Sequence, residues 1–154
     1  MPGRLRHSPA DVLRQLMIDL DLGTDPDDEE DWPIFCSLTP DAPDALISTW
    51  NTTPVQHGRA MVGGEVQKIH GAMIWLRAKD DPTVQDKANA VLIALTQQVS
   101  FDEVICPAVG DIPASTYVVK NVNLASGPIA VGKEPTSSRD VVTINVLVSV
   151  RQLS

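Results

Sequence analysis

The residues most able to do chemistry in this chain are one acidic run, two cysteines and three histidines. In "DLDLGTDPDDEE", Asp19, Asp21, Asp25, Asp27 and Glu30 fall at offsets 1, 3, 7, 9 and 12, close to the spacing of a calcium loop. Such a loop needs an oxygen ligand at its fifth place and glycine at its sixth for the sharp turn. Here Gly23 is fifth and Thr24 sixth, Asp19 belongs to a helix end, and no helix follows Glu30. The run reads as a solvated acidic loop that attracts cations loosely.

Proton-transfer catalysis needs a histidine beside a nucleophile or a carboxylate. His7 lies near the chain start, where fraying is expected, His57 in a glycine-rich stretch, and His70 on a strand before Gly71. Cys36 and Cys106 lack the spacing of a zinc site, so two buried, reduced thiols are expected, with nothing nearby to make either reactive. "VGGE" fits neither a phosphate loop nor a dinucleotide site. No catalytic residue, cofactor or metal is expected.

The charge balance removes another class. Lys and Arg number 12 against 20 Asp and Glu, a net charge of −8, and the basic residues are scattered. Holding DNA tightly requires cations that neutralise phosphates, so tight nucleic-acid binding is not expected. With 154 residues, 43% hydrophobic and 21% charged, the chain reads as one globular domain over 1–154. Its apolar stretches break off before the roughly 18 residues of a membrane span. "MPGRLRHSPADVL" lacks the apolar core of a signal peptide, so synthesis in the cytoplasm is expected.

The elements that must position these groups are legible from periodicity. In "HSPADVLRQLMIDLDLG", Ser8 can cap a helix, Pro9 suits its first position, and Gly23 is a plausible stop. Val12, Leu13, Leu16, Met17 and Leu20 form its apolar stripe. "WPIFCSLTP" and "ALISTWNTTP" read as short strands between prolines. "VQHGRAMVGGEVQ" reads as a long loop or a mobile hairpin. Lys68–Arg77 is a strand with apolar residues on both faces, which predicts cover on both sides. Asp81 caps a second helix, Pro82 starts it, and Val84, Ala88, Val91, Leu92 and Leu95 are its buried stripe. A short strand is expected around Val104, then a strand interrupted at Ser126-Gly127-Pro128. The last strand, "DVVTINVLVSVRQ", alternates cleanly from Val142 to Val150. The sum predicts an α+β fold: a mostly antiparallel sheet with two helices packed on one face.

Three tryptophans stand out in a chain with 4% aromatics. Trp75 lies between Ile74 and Leu76 and reads as core. Trp32 and Trp50 stand at strand ends, where core packing competes with a role as interface anchors.

The order of these elements, with the helix "DPTVQDKANAVLIAL" and the closing strand "NVLVSVRQ", resembles the tail terminator (minor tail) proteins of long-tailed bacteriophages. In that family an "A-x-x-A-x-x-I-x-x-A-L"-type helix precedes a closing strand that alternates valines. Ala88, Val91 and Leu95 occupy the helix pattern, and Val146, Val148 and Val150 the strand. The resemblance covers most of the chain but rests on element order and size.

It implies a structural virion protein at the tail–head junction, assembled in the bacterial host cytoplasm, with neither catalysis nor cofactor. Copies would form a homo-oligomer, a hexameric ring, that caps the tail tube protein and meets a head-completion or connector protein. A ring needs one patch to meet a different patch on the next copy. An edge strand, the His57–Glu65 loop and the Gly132–Asp140 turn could supply such patches. The contact candidates are Trp32, Trp50, His57, Arg59, Lys133 and Arg139. DNA would pass through without specific binding, and an acidic wall would repel it. Asp25, Asp27, Asp28, Glu29, Glu30 and Asp31 are the candidates to line that bore. A head-completion or neck protein of the same virion type is the alternative, and a small α+β hydrolase or ligand-binding domain a further one.

Overall fold

The computed structural model describes residues 6–28, 31–52, 55–59, 66–134 and 138–153. The first helix, α1 (Pro9–Asp19), begins where the sequence offers a start. Ser8 Oγ accepts from the Asp11 amide and donates to the Asp11 carboxylate, and Pro9 is at the front of the helix. The Asn51 side-chain oxygen accepts from the Ala10 amide at 2.8 Å, tying this end to the sheet.

The helix does not reach Gly23. Leu20 is its C-cap, and Asp21 turns the chain with a left-handed φ of 58°. The Asp21 amide then donates to the Ile18 carbonyl and the Leu22 amide to that of Met17. This is the double-bonded helix end that usually places glycine in the left-handed position. Gly23 has a different task, because a Cβ there would lie 2.5 Å from the Trp32 carbonyl oxygen and 2.6 Å from the Ile34 side chain. Only glycine lets the chain pass so close.

After a 3-10 turn over Pro26–Asp28, the described residues form β1 (Ile34–Cys36), β2 (Leu46–Asn51), β3 (Val55–Arg59), β4 (Val66–Ala78), α2 (Asp81–Gln97), β5 (Asp102–Cys106), β6 (Ser115–Lys133) and β7 (Asp140–Gln152). They form a seven-stranded sheet in the order β1-β2-β4-β7-β6-β5, with β3 also paired to β4. Among these described strands, only β1 and β2 pair parallel. The fold is α+β, as the element pattern predicts.

The core is the layer between the sheet and the two helices. Val142, Ile144, Val146 and Val148 of β7 are buried in it, alternating with half-buried residues on the other side. Opposite them on β4 stand Leu76, Ile74, Ala72 and His70, in register. From above, α1 contributes Val12, Leu13, Leu16 and Met17, and α2 contributes Val84, Ala88, Val91 and Leu95. Leu92 is only partly buried, and Ala94 completes the stripe instead.

Two further details depart from the sequence expectation. The cap of α2 is Asp80, which accepts from the Thr83 amide at 2.9 Å, while Asp81 is already helical. The missing Pro82 amide costs nothing there, since first-turn amides have no helical partner. Ser126-Gly127-Pro128 does not interrupt β6, which absorbs it through register shifts between Leu124 and Ile129. Gly127 adopts φ 107° with its Cβ direction closed off by the Thr143 carbonyl at 2.8 Å. Of the two readings of the stretch before β4, a long loop or a hairpin, the structure has the hairpin, with β3 and β4 paired antiparallel and residues 60–65 outside the described residues.

Two substitutions test the α1 exit. Asp21→Gly should raise unfolding free energy by roughly 0.5–1 kcal/mol, because glycine takes positive φ without penalty. Gly23→Ala should lower it by about 2 kcal/mol or more, as strain at Trp32 and Ile34. Urea unfolding of both variants measures the pair.

Candidate functional site

Helix cover on one sheet face leaves the other to itself. Residues opposite one another in register share a face. The open face therefore carries Trp50 beside Met73, Ser48 beside Trp75 and Thr143, and Leu46 beside Arg77 and Val141. Trp50, Met73 and Trp75 are all half-buried. Beyond them the face turns to amides and hydroxyls, with Asn145 Nδ2 donating to Ser126 Oγ at 3.0 Å. On the far side Val118 lies next to Glu103, and Ile105 is 61% exposed.

One end of this face is covered by the segment between β1 and β2. Ser48 Oγ donates to the Leu38 carbonyl at 2.7 Å. Arg77 donates to the carbonyls of Pro40, Asp41, Pro43 and Asp44, and pairs with Glu134 at 3.6 Å. Its guanidinium also lies 5.8 Å from the Trp75 ring. Arg139 joins the same cluster through Asp41 at 2.9 Å, Glu134 at 3.1 Å and Asp44 at 3.4 Å. Burial first, and the charge of Arg139 second, weaken the hold of Arg77 on its proton. An arginine does not lose it in a protein, so the cluster holds two adjacent cations. The double cover expected for β4 is thus partly realised: helices on one side, this short segment at one end of the other. Trp75, expected in the core, lies on the open face instead.

The expected contact residues scatter. Trp50 is on the open face. Trp32 packs partly buried against the core, with the Lys87 ammonium 5.4 Å from its ring centre. Lys133 is exposed and pairs with Asp140 at 3.0 Å. Arg139 is a correction: at 7% exposure it is committed to the internal cluster because its side chain turns inward to Asp41, and offers no free surface. The side chains of His57 and Arg59 lie outside the described residues, although both backbones are in β3.

The acidic candidates also divide. Asp25 pairs with Arg14 at 3.4 Å and accepts from the Asp27 amide at 3.0 Å. Arg14 meanwhile donates to the Ile34 carbonyl at 2.6 Å, so this part of the loop is pinned to α1 and β1. Asp31 is exposed. The Asp28 side chain, and Glu29 and Glu30 altogether, lie outside the described residues. Among the described residues no group of three or more His, Cys, Asp or Glu could hold a metal ion.

His7 is a second correction. It is 1% exposed, not frayed, because its ring bridges two partners far along the chain. Nδ1 lies 2.8 Å from the Tyr117 hydroxyl and Nε2 lies 2.9 Å from the Pro107 carbonyl. A carbonyl only accepts, so Nε2 donates to Pro107, and in the neutral ring Nδ1 accepts from Tyr117. The His7 amide donates to the same hydroxyl at 2.8 Å, so Tyr117 both gives and receives. The arrangement anchors the chain start and leaves no lone pair for catalysis. Nothing local in the sequence announces it, although Tyr117, the one tyrosine, sits at a core-facing strand position.

The thiols are held protonated. Burial, followed by the Asp11 carboxylate, raises the Cys36 pKa to about 11. Burial raises that of Cys106 to about 12, with Asp11 and Asp19 adding to it. Cys36 is half-buried, a little more open than expected, and Cys106 is buried. No helix among the described residues is long and apolar enough to cross a membrane.

At pH 7 a thiol of pKa about 11 is thiolate in about one molecule in ten thousand. Iodoacetamide should therefore leave both cysteines of the native protein unmodified over an hour and label both in urea, as read by intact mass. Tyr117→Phe should cost about 1–3 kcal/mol, the penalty for stripping buried polar groups of their partner, by the same urea unfolding.

No family model matches the chain, and no curated protein matches it.

Proposed function

We propose that the chain is a structural virion protein of a long-tailed bacteriophage, a tail terminator that caps the tail tube and joins it to the head. The single observation that carries the reading is the open sheet face. It presents two tryptophans and a methionine beside uncharged amides and hydroxyls, on a protein with net charge −8. Aromatic residues in a patch whose one neighbouring cation, Arg77, is committed to the carbonyls of the segment between β1 and β2 are what the centre of a protein–protein contact requires. Three of the groups that could have done chemistry are engaged otherwise: His7 with Tyr117 and Pro107, and both thiols with their protons.

In this reading identical copies close a six-membered ring through unlike patches, one of them the Trp50–Met73–Trp75 face. Lys133 and the β6–β7 turn offer a further contact, to the tail tube protein or the connector. Asp31, which is exposed, faces the bore, where negative charge repels the DNA backbone and lets it slide.

Deleting the gene separates this role from that of a neck protein. A terminator mutant should accumulate abnormally long tails without heads, visible by negative-stain electron microscopy. Tails of normal length that merely fail to attach would instead assign the protein to the neck.

A further inference from the structure

Apolar side chains left outside the core are not spread evenly. Nine large ones are exposed among the described residues, and six lie on the β5–β6 side of the sheet: Phe101, Ile105, Val109, Leu124, Ile129 and Val131. The chain crosses from β5 to β6 through Pro107–Ala114, and this connection is a finger. Val109 and Ile112 exchange both of their amide–carbonyl bonds, at 3.0 and 2.9 Å, around Gly110 and Asp111. Gly110 takes φ 56°, at the first central position of the turn, which glycine fills without strain. A Cβ there would meet no atom within 4 Å, and Val109 is 54% exposed, so the tip stands clear of the body.

Both roots of the finger are tied down. A proline stands on each side of it, and a buried side chain donates to the carbonyl of each: His7 Nε2 to Pro107 at 2.9 Å, and Ser115 Oγ to Pro113 at 3.1 Å. Tyr117 fixes His7 in turn, through its ring and its amide. A buried polar network with every partner in place rigidifies what it holds. What it holds here is a tip whose valine stays in water. A surface that is rigid before contact gives up little conformational freedom on binding.

We infer that this finger is the unlike patch that meets the Trp50–Met73–Trp75 face, with Val109 of one copy seated on that face of the next. The inference rests on the ring reading above and supplies the half of the contact which that reading leaves open. Sheet order sets the direction. Trp50 is on β2 and the finger follows β5, with β4, β7 and β6 between them. Patches so placed do not meet within one copy, and joining them repeats in one sense from copy to copy, as a ring requires. Charge agrees with this pairing. From Ala88 to Val119 the chain has no Lys, Arg or His, but it has Asp102, Glu103 and Asp111. At the other patch, the chain leaving β4 past Trp75 carries Lys79, 77% exposed in a solvent-facing pair with Asp44. An acidic finger is complementary to that end of the face, whereas finger against finger would set Asp111 beside its own copy.

Disulfide trapping on the purified full chain tests the contact. Val109→Cys and Met73→Cys are combined in one chain and oxidised beside the two single variants and the wild type. The double variant should give a ladder of bands up to the hexamer on a non-reducing gel, and the others nothing beyond a dimer. As much dimer from Val109→Cys alone, with no higher band from the pair, assigns the finger to a two-fold contact and overturns the inference. Absence of a ladder overturns it as well. Light scattering of the wild type then separates the two readings, since a hexamer without the ladder keeps the ring and moves its contact elsewhere. In a second variant, Val109→Asp at this exposed position should weaken self-association at least about tenfold with the urea midpoint unchanged. Equal association of Val109→Asp and the wild type contradicts the finger.

Discussion

The valine row of β7 lies at the centre of the sheet and at the bottom of the helix layer, and each neighbouring element is placed by the need to cover it. Val142, Ile144, Val146 and Val148 are at most 1% exposed. A buried aliphatic side chain is worth about 1.5–3 kcal/mol, so this row and its partners on β4 outweigh any single polar contact in the molecule. β4 and β6 take their registers from β7 on its two sides, and both helices lie on the face it turns inward. Because strand side chains alternate, the same constraint dictates what faces out: Thr143, Asn145, Leu147 and Ser149. The open face is a consequence of the core.

That division assigns work within the fold. The helix layer supplies rigidity, and the outer features vary around it: an aromatic patch, a hairpin from β3 to β4, a bulged β6, and the segment between β1 and β2 held by two arginines. Cross-sheet polar contacts fix the extremities to this body. His7 reaches Tyr117, Arg14 holds both Asp25 and Ile34, and Arg139 bridges to Asp41 across 98 positions of sequence. A molecule so arranged is suited to present shaped surfaces to other proteins.

What the sequence made legible is the part governed by short-range periodicity. Ser8 and Pro9 announce α1, the alternation from Val142 to Val150 announces β7, and the stripe from Val84 to Leu95 announces α2. The small misses share one cause: local signals compete, and tertiary contact decides. Gly23 resembles a helix stop but is required by the approach of Trp32 and Ile34. Ser126-Gly127-Pro128 resembles a break, yet pairing with β7 carries β6 through it as a bulge. The Arg77–Arg139 cluster and the His7 anchor were illegible for another reason. Their partners are backbone carbonyls and residues a hundred positions away, which no spacing rule encodes. An arginine in the apolar stretch "IWLRA" was the one available hint. Arg139, an exposed contact by sequence, turned inward for the same reason.

The central claim, a structural role at the junction of tail and head, is tested most directly by electron microscopy of virions in which this chain carries a small density label. The account predicts label in a single ring of six at the top of the tail tube, below the head. Label elsewhere along the particle, or particles that lack the chain altogether, would contradict it.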